Sequence, residues 1–480
     1  MSGSLHEALI GVSLCLAIAG LGAAALRTVL GRLTILDVLA LSFPLGAGFL
    51  TWFLFLMSWA GGGVTPLSVG LVWGLLLALA LAARVLTAPR ACADQTAGCP
   101  HRSTRLAPMR LPGLLVVLIG LTGFAAWLGV NGSYYGWDDM AIWAVKGYGI
   151  AREGSIWAAG HWGDHGLGYP MNIPLLIAIF RFTGDKLPAS KIVFPIFYLS
   201  LAVGCLRFWL ERGIRPRSAF LGTLLLVSTP LLFEHATLGY ANLPYTVYLV
   251  LGCVEFVQGA VTQDARRQVL SGLLLGMAAW TRPEGALAVA SVVAVLGLTA
   301  HWIRQRGLNL LAWVLPVAVL AGTWVVFAGI HAPGGQMREA LGAASEAVAG
   351  GVFHLSAFYW IVRFMGRQAV EISVWGVLPV ACAVLLFLGV RRLGPRSNPD
   401  AFLVSTAFLM VAAGVTVQFY LADFLGLLMN YLGNSANRMY MPAAVLAVLL
   451  AVLSSRSAVG EILPSEALGA QGTILPTGSE

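Results

Sequence analysis

Apolar runs of about twenty residues recur from one end of the chain to the other, and no other feature limits its fold as much. A helix crossing the roughly 30 Å hydrocarbon core of a bilayer needs about 17 to 25 apolar residues. Within that core only structures that satisfy their own backbone hydrogen bonds survive. Runs of this kind lie at 8–26, 39–59, 67–83, 114–130, 192–210, 308–330, 372–390 and 401–422. Shorter runs at 219–233, 243–257, 269–280, 285–300 and 439–453 sit at or below the minimum. Together they predict an all-α, polytopic transmembrane helical bundle of about thirteen spans. Composition agrees: only 10% of side chains are charged, against about 25% in soluble domains. The first run has no basic stretch before it and no small-residue cleavage site, so it reads as a retained span.

Lys and Arg report orientation, because cytoplasmic loops carry their excess. With the N-terminus outside, nineteen of the 29 Lys and Arg residues fall on the inner side. This holds provided the ten-residue apolar stretch 173–182 is half-buried or re-entrant and does not cross. The chain then divides into three leading spans (1–86), a cytoplasmic linker (87–111), a main transmembrane module (112–455) and a cytoplasmic tail (456–480). The main module carries a long, helical extracytoplasmic loop at 131–191, and further outside segments at 331–371 and 423–438. An integral protein of a bacterial inner membrane, with the lipid bilayer as a partner, is the expectation. The formal charge of +8 comes from dispersed residues with no dense basic block, so no nucleic-acid partner is expected. Six cysteines are spread over the chain, four of them (Cys15, Cys205, Cys253 and Cys382) within apolar runs, and they imply no disulfide framework. Cys92, Cys99 and His101 match no zinc spacing, and no metal ligand is assigned.

Chemistry-bearing side chains concentrate in the outside segments. The first loop holds Trp137-Asp138-Asp139, followed by Trp143 and Lys146. On a helix Asp139, Trp143 and Lys146 would share one face, with Asp138 and Ile142 beside it, and that face would turn its charges toward a cavity. Two adjacent carboxylates at a low-dielectric boundary repel, which favours a base poised for proton abstraction. A capped helix start with interfacial aromatics explains the same residues. Farther on, His161, Asp164 and His165 precede Tyr169-Pro170, among glycines that break any helical ligand set. Hydrogen bonding to a polar substrate suits His165 and Tyr169 better than metal binding, and a plain loop explains the stretch more simply still. Thr281-Arg282-Pro283-Glu284-Gly285 puts an Arg and a Glu where the chain meets the outer face, as a phosphate partner or as an interfacial pair. Glu234, Gly239-Tyr240-Ala241-Asn242-Leu243-Pro244 and Asn434-Ser435-Ala436-Asn437-Arg438 reach the same level, and an interfacial anchor explains Arg438 just as simply.

In their order along a multispan chain these motifs resemble the polytopic glycosyltransferases of the C superfamily, which include protein O-mannosyltransferases and aminoarabinose transferases. The resemblance covers roughly 114–453 and leaves the three leading spans unexplained. It implies a polyprenyl-phosphate sugar donor and a lipid, glycan or protein acceptor on the extracytoplasmic side. It also implies that Asp138 or Asp139 is the base for an inverting displacement, with Lys146 and Arg282 near the lipid phosphate. Glu284, His165, Tyr169, Glu234, Asn242 and Arg438 complete the expected substrate-binding set. Two departures stand out. Asn242 occupies a place where many relatives carry Asp, with Glu234 as a candidate replacement, and no large soluble C-terminal domain follows the last span. No cofactor is called for, and dependence on a divalent cation stays open. The expected function is transfer of a monosaccharide from a polyprenyl-phosphate donor to a cell-envelope acceptor. The alternative is a transporter or lipid-linked-sugar flippase without bond-making chemistry. Transporters keep functional charges near the midplane on broken helices, whereas here they gather at span ends and in loops.

Overall fold

The computed structural model describes residues 2–87, 111–134, 136–162, 165–182, 187–302, 309–332, 336–351, 354–389 and 398–455. Residues 88–110 with Cys92, Cys99 and His101, residues 456–480, and Asp164 lie outside the described residues. Every regular element among the described residues is helical, as the apolar runs require. Among the described residues eight helices are long and apolar enough to cross a membrane: Leu9–Leu30, Ile35–Trp59, Pro66–Leu86, Gly113–Asn131, Ala189–Glu211, Asn242–Thr262, Leu310–His331 and Pro399–Asp423. The chain is thus an integral membrane protein with an all-α fold.

Three of the thirteen expected spans are bent or split within their length, and each break has a local cause. The run at 219–233 is two helices, Pro216–Val227 and Pro230–Thr237, bent by 61°. Pro230 opens the second helix because it lacks the N–H that would continue the first. The last run is a pair bent by 40°, Leu428–Met439 with Met441–Ser454, and Pro442 stands at the break. The run at 372–390 is split at Gly376, whose φ of 60° interrupts the helix before Leu378–Gly389 begins. The stretches at 269–280 and 285–300 form the helices Ala265–Ala279 and Gly285–Trp302. Counting each bent pair as one crossing raises eight to ten. The stretch at 173–182 is a ten-residue helix, Asn172–Arg181, nearly all of it buried.

Ile35–Trp59, Ala189–Glu211 and Asn242–Thr262 are the most buried spans and form the centre of the bundle. A capping box starts the first of them: the Thr34 hydroxyl accepts from the Asp37 amide (3.1 Å), and Asp37 accepts from the Thr34 amide (2.8 Å). Ser2–Leu30 lies directly against it, since a Cβ on Gly22 or Gly46 would overlap the carbonyls of Ser42 and Ile18. Small residues at such crossings let helix backbones meet where lipid gives no hydrophobic drive for association. The leading helices therefore join the same core as the rest of the chain.

Candidate active site

At one end of the bundle the charged motifs of the sequence converge on a cavity of about 1100 Å³. Its lower wall starts from the loop after Leu111–Asn131. There Asp138–Ala144 winds as a π-helical turn that runs into the helix Val145–Glu153, with the Val145 N–H bonded to the Met140 carbonyl five residues back. Such wide turns are uncommon and gather at functional sites. The turn separates two adjacent acids. Asp138 and Ile142 line the cavity, whereas Asp139, Trp143 and Lys146 are buried behind it. The helical grouping expected of these residues is therefore present, but the face that meets the cavity is the one carrying Asp138.

Asp138 Oδ2 lies 2.8 Å from Arg438 Nη2. Arg438 also donates to Ser435 Oγ at 2.9 Å, and its guanidinium sits 5.1 Å from the centroid of the Tyr240 ring. Burial pushes the Tyr240 phenol up to about 12 against the favourable field of Arg438, so it remains a neutral hydroxyl at ordinary pH. Across the cavity Arg282 Nε is paired with Glu284, and both side chains are about nine-tenths buried. Burial opposes the Arg282 charge, but Glu284 and then Tyr169 outweigh it and hold its pKa above the ordinary value. Arg282 Nη1 is buried with no hydrogen-bond partner among the described residues. Tyr169 lines the same wall, its own pKa raised by burial and by Glu284, and the His165 ring stacks on it at 4.7 Å.

Asp139 belongs to a different environment. Its Oδ2 lies 3.6 Å from Lys191 Nζ, and neither side chain meets solvent. Lys191 also donates to the Ser133 carbonyl at 2.7 Å and lies 4.5 Å from the Tyr134 ring centroid. Tyr134 in turn shares a 2.6 Å hydrogen bond with Ser190. Gly239 closes this layer, because a Cβ there would overlap both Asp139 Oδ1 and the Tyr134 ring. Lys146 is fully buried, its Nζ 5.3 Å from the Tyr169 ring centroid.

The cavity thus collects Asp138, His165, Tyr169, Arg282, Glu284 and Arg438, while Asp139 and Lys146 stand behind its wall. Asn242 lies beneath it, buried, with Nδ2 donating to the Arg438 carbonyl at 3.5 Å. A carboxylate could not donate that bond. Glu234 is exposed on the helix Pro230–Thr237 and is not among the residues that line the cavity, so it does not stand in for a carboxylate at position 242. Among the described residues no group of three or more His, Cys, Asp or Glu could hold a metal ion. His161 is exposed, with Nδ1 3.9 Å from Glu153.

The chain is similar in fold to the crystal structure of ArnT from Cupriavidus metallidurans bound to undecaprenyl phosphate, at 14% identity and a TM-score of 0.38. That likeness covers 73% of this chain and 78% of the other. At this identity and TM-score it assigns no role to any residue. No family model matches the chain, and no curated protein matches it.

Several cavity and support residues carry little signal in the sequence. Lys191 reads as an ordinary span-end lysine, and its partner is 52 positions away. Gln418 is a single amide inside an apolar run. Asn430 and Tyr431 do have a legible signal: with Asn434 and Arg438 they repeat at helical spacing, opposite Leu428, Leu432 and Ala436.

Proposed function

We propose that this protein is a membrane glycosyltransferase that moves a monosaccharide from a polyprenyl-phosphate donor to a cell-envelope acceptor at the extracytoplasmic face. The observation that carries the reading is the separation of the two adjacent acids. Asp138 faces a cavity of about 1100 Å³ between two guanidiniums, while Asp139 is buried against Lys191. The volume is at the upper end of small-molecule sites, about 300–1,000 Å³, and has room for a sugar together with the first part of a lipid chain.

In this reading Asp138 is the general base. It accepts the proton of the acceptor hydroxyl as that oxygen forms a bond to the anomeric carbon. The bond from that carbon to the phosphate oxygen breaks on the opposite face and inverts the configuration. The electron pair leaves with the polyprenyl phosphate. Arg438 orients the Asp138 carboxylate through its 2.8 Å contact. Arg282, with Nη1 unused by Glu284, is suited to the charge that grows on the leaving phosphate. Asp139 and Lys191 are positioning residues that hold the π-helical turn against the start of the span Ala189–Glu211.

The test is transfer from labelled polyprenyl-phosphate monosaccharides to envelope extracts by the purified protein, with and without chelator. Wild type is expected to transfer sugar and Asp138→Asn to lose it while folding normally. Absence of transfer from every donor, together with full complementation of a deletion strain by Asp138→Asn, would replace this reading with the transporter.

A further inference from the structure

The helix Leu428–Met439 presents two distinct faces. Leu428, Leu432 and Ala436 are buried with Val415 and Phe419 of the neighbouring span Pro399–Asp423. Asn430, Asn434 and Arg438, at the same spacing of four, line the cavity together with Tyr431 and Ser435. The only charge on this stripe is Arg438 at its far end, and Asp138 already meets it. The two asparagines are aligned with each other, Asn434 Nδ2 donating to Asn430 Oδ1 at 2.6 Å. Each amide offers two donor hydrogens and a two-lone-pair oxygen, so one mutual bond uses a fraction of their capacity.

An independent observation comes from the span Pro399–Asp423. Gln418 lines the same cavity, is only 8% exposed, and its Oε1 is buried with no hydrogen-bond partner among the described residues. A buried amide oxygen is satisfied by a donor, and a sugar hydroxyl is one that carries no charge. An ammonium substituent fits this wall badly. The two carboxylates that line the cavity, Asp138 and Glu284, are each already paired with a guanidinium, which leaves the stripe without a counter-ion for an ammonium.

We propose that Asn430, Asn434 and Gln418 form the pocket for an uncharged, polyhydroxylated glycosyl ring, so that the protein handles neutral hexosyl or pentosyl groups in preference to amino sugars. This inference rests on the transferase reading above. The same hydroxyl chemistry could belong to the donor sugar or to a glycan acceptor, and the experiment separates the two.

The experiment compares wild type, Asn434→Ala and Gln418→Met with polyprenyl-phosphate hexose and polyprenyl-phosphate amino sugar as donors. Sugar-free polyprenyl phosphate serves as competitor, and melting curves confirm folding. Wild type should show kcat/KM at least about tenfold higher for the neutral donor. Each substitution should raise the KM for one sugar substrate about fivefold to tenfold, with kcat within about twofold and inhibition by polyprenyl phosphate unchanged. A rise for the donor assigns the ring to the donor, and a rise for the acceptor alone assigns it to a glycan acceptor. Gln418→Glu, which adds an anion to the wall, should shift the donor ratio toward the amino sugar. A wild type that prefers the amino sugar while the variants alter the donor KM overturns the inference, as do variants matching wild type for both substrates. A wild type that transfers nothing from any donor removes the transferase reading itself, a result distinct from transfer with unaltered variants.

Discussion

Two clusters of charge sit at opposite ends of the central helices, and they are built differently. At the end away from the cavity, Arg207 meets Asp37 at 2.6 Å and also contacts Glu255, Glu211 and Gln258. Arg267 meets Glu255 at 3.0 Å, and the Arg207 and Glu255 side chains are buried almost completely. There each guanidinium is surrounded by carboxylates from several helices, an arrangement that fixes those helices to one another. At the cavity end Arg438 and Arg282 each meet a single carboxylate among the described residues, across a contact that borders open volume. The lesson is that charge alone does not mark a site in this chain. Charges locked among helices cost desolvation and return structure, whereas charges with donors facing a cavity are available to a ligand.

That contrast gives predictions of decreasing size. Asp138→Asn should lower kcat for sugar transfer by about 10²–10⁴-fold, measured in proteoliposomes, with the melting temperature little changed. A variant that remains active would erase the functional side of the comparison. Lys191→Met leaves the Asp139 carboxylate buried without its cation. It should lower both stability and kcat, and Lys191→Arg should restore more of each than Met does, which a chelator-independent activity assay alongside thermal melts would show. Arg207→Met should destabilise the detergent-solubilised protein by about 3–5 kcal/mol, because buried carboxylates lose their partner, while kcat per folded molecule stays at the wild-type value. A loss of kcat without a loss of stability would show that the far cluster also serves the reaction. Glu234→Ala should change neither quantity beyond about 0.5 kcal/mol, since the side chain is exposed and away from the cavity.

How much of this was readable beforehand differs from residue to residue. The pair Asp138-Asp139 stands out in the sequence, but which acid faces the cavity does not, because that depends on a π-helical turn whose register no local propensity announces. Arg282 and Glu284 stand out in the sequence because charge beside apolar runs is rare, as a phosphate partner or as an interfacial pair, and the structure pairs them. Arg438 read equally well as an anchor, and only its contact with Asp138, 300 positions away, makes it part of the cavity wall. Glu234 was a reasonable substitute for a missing carboxylate by sequence distance, yet the helix Pro230–Thr237 turns it outward.

The amino-acid sequence by itself determined the solvent, the helical class and most of the elements. Runs of apolar residues long enough to span hydrocarbon leave the backbone no alternative to helix, and that is a local property of composition and length. Tertiary structure decided the pairing of Lys191 with Asp139, the contact of Arg438 with Asp138, and the convergence of residues from six stretches of chain on one cavity. Those outcomes depend on how helices cross and on which polar group finds a partner across hundreds of residues. Pairwise geometry of that kind is absent from any window of sequence short enough to read on its own.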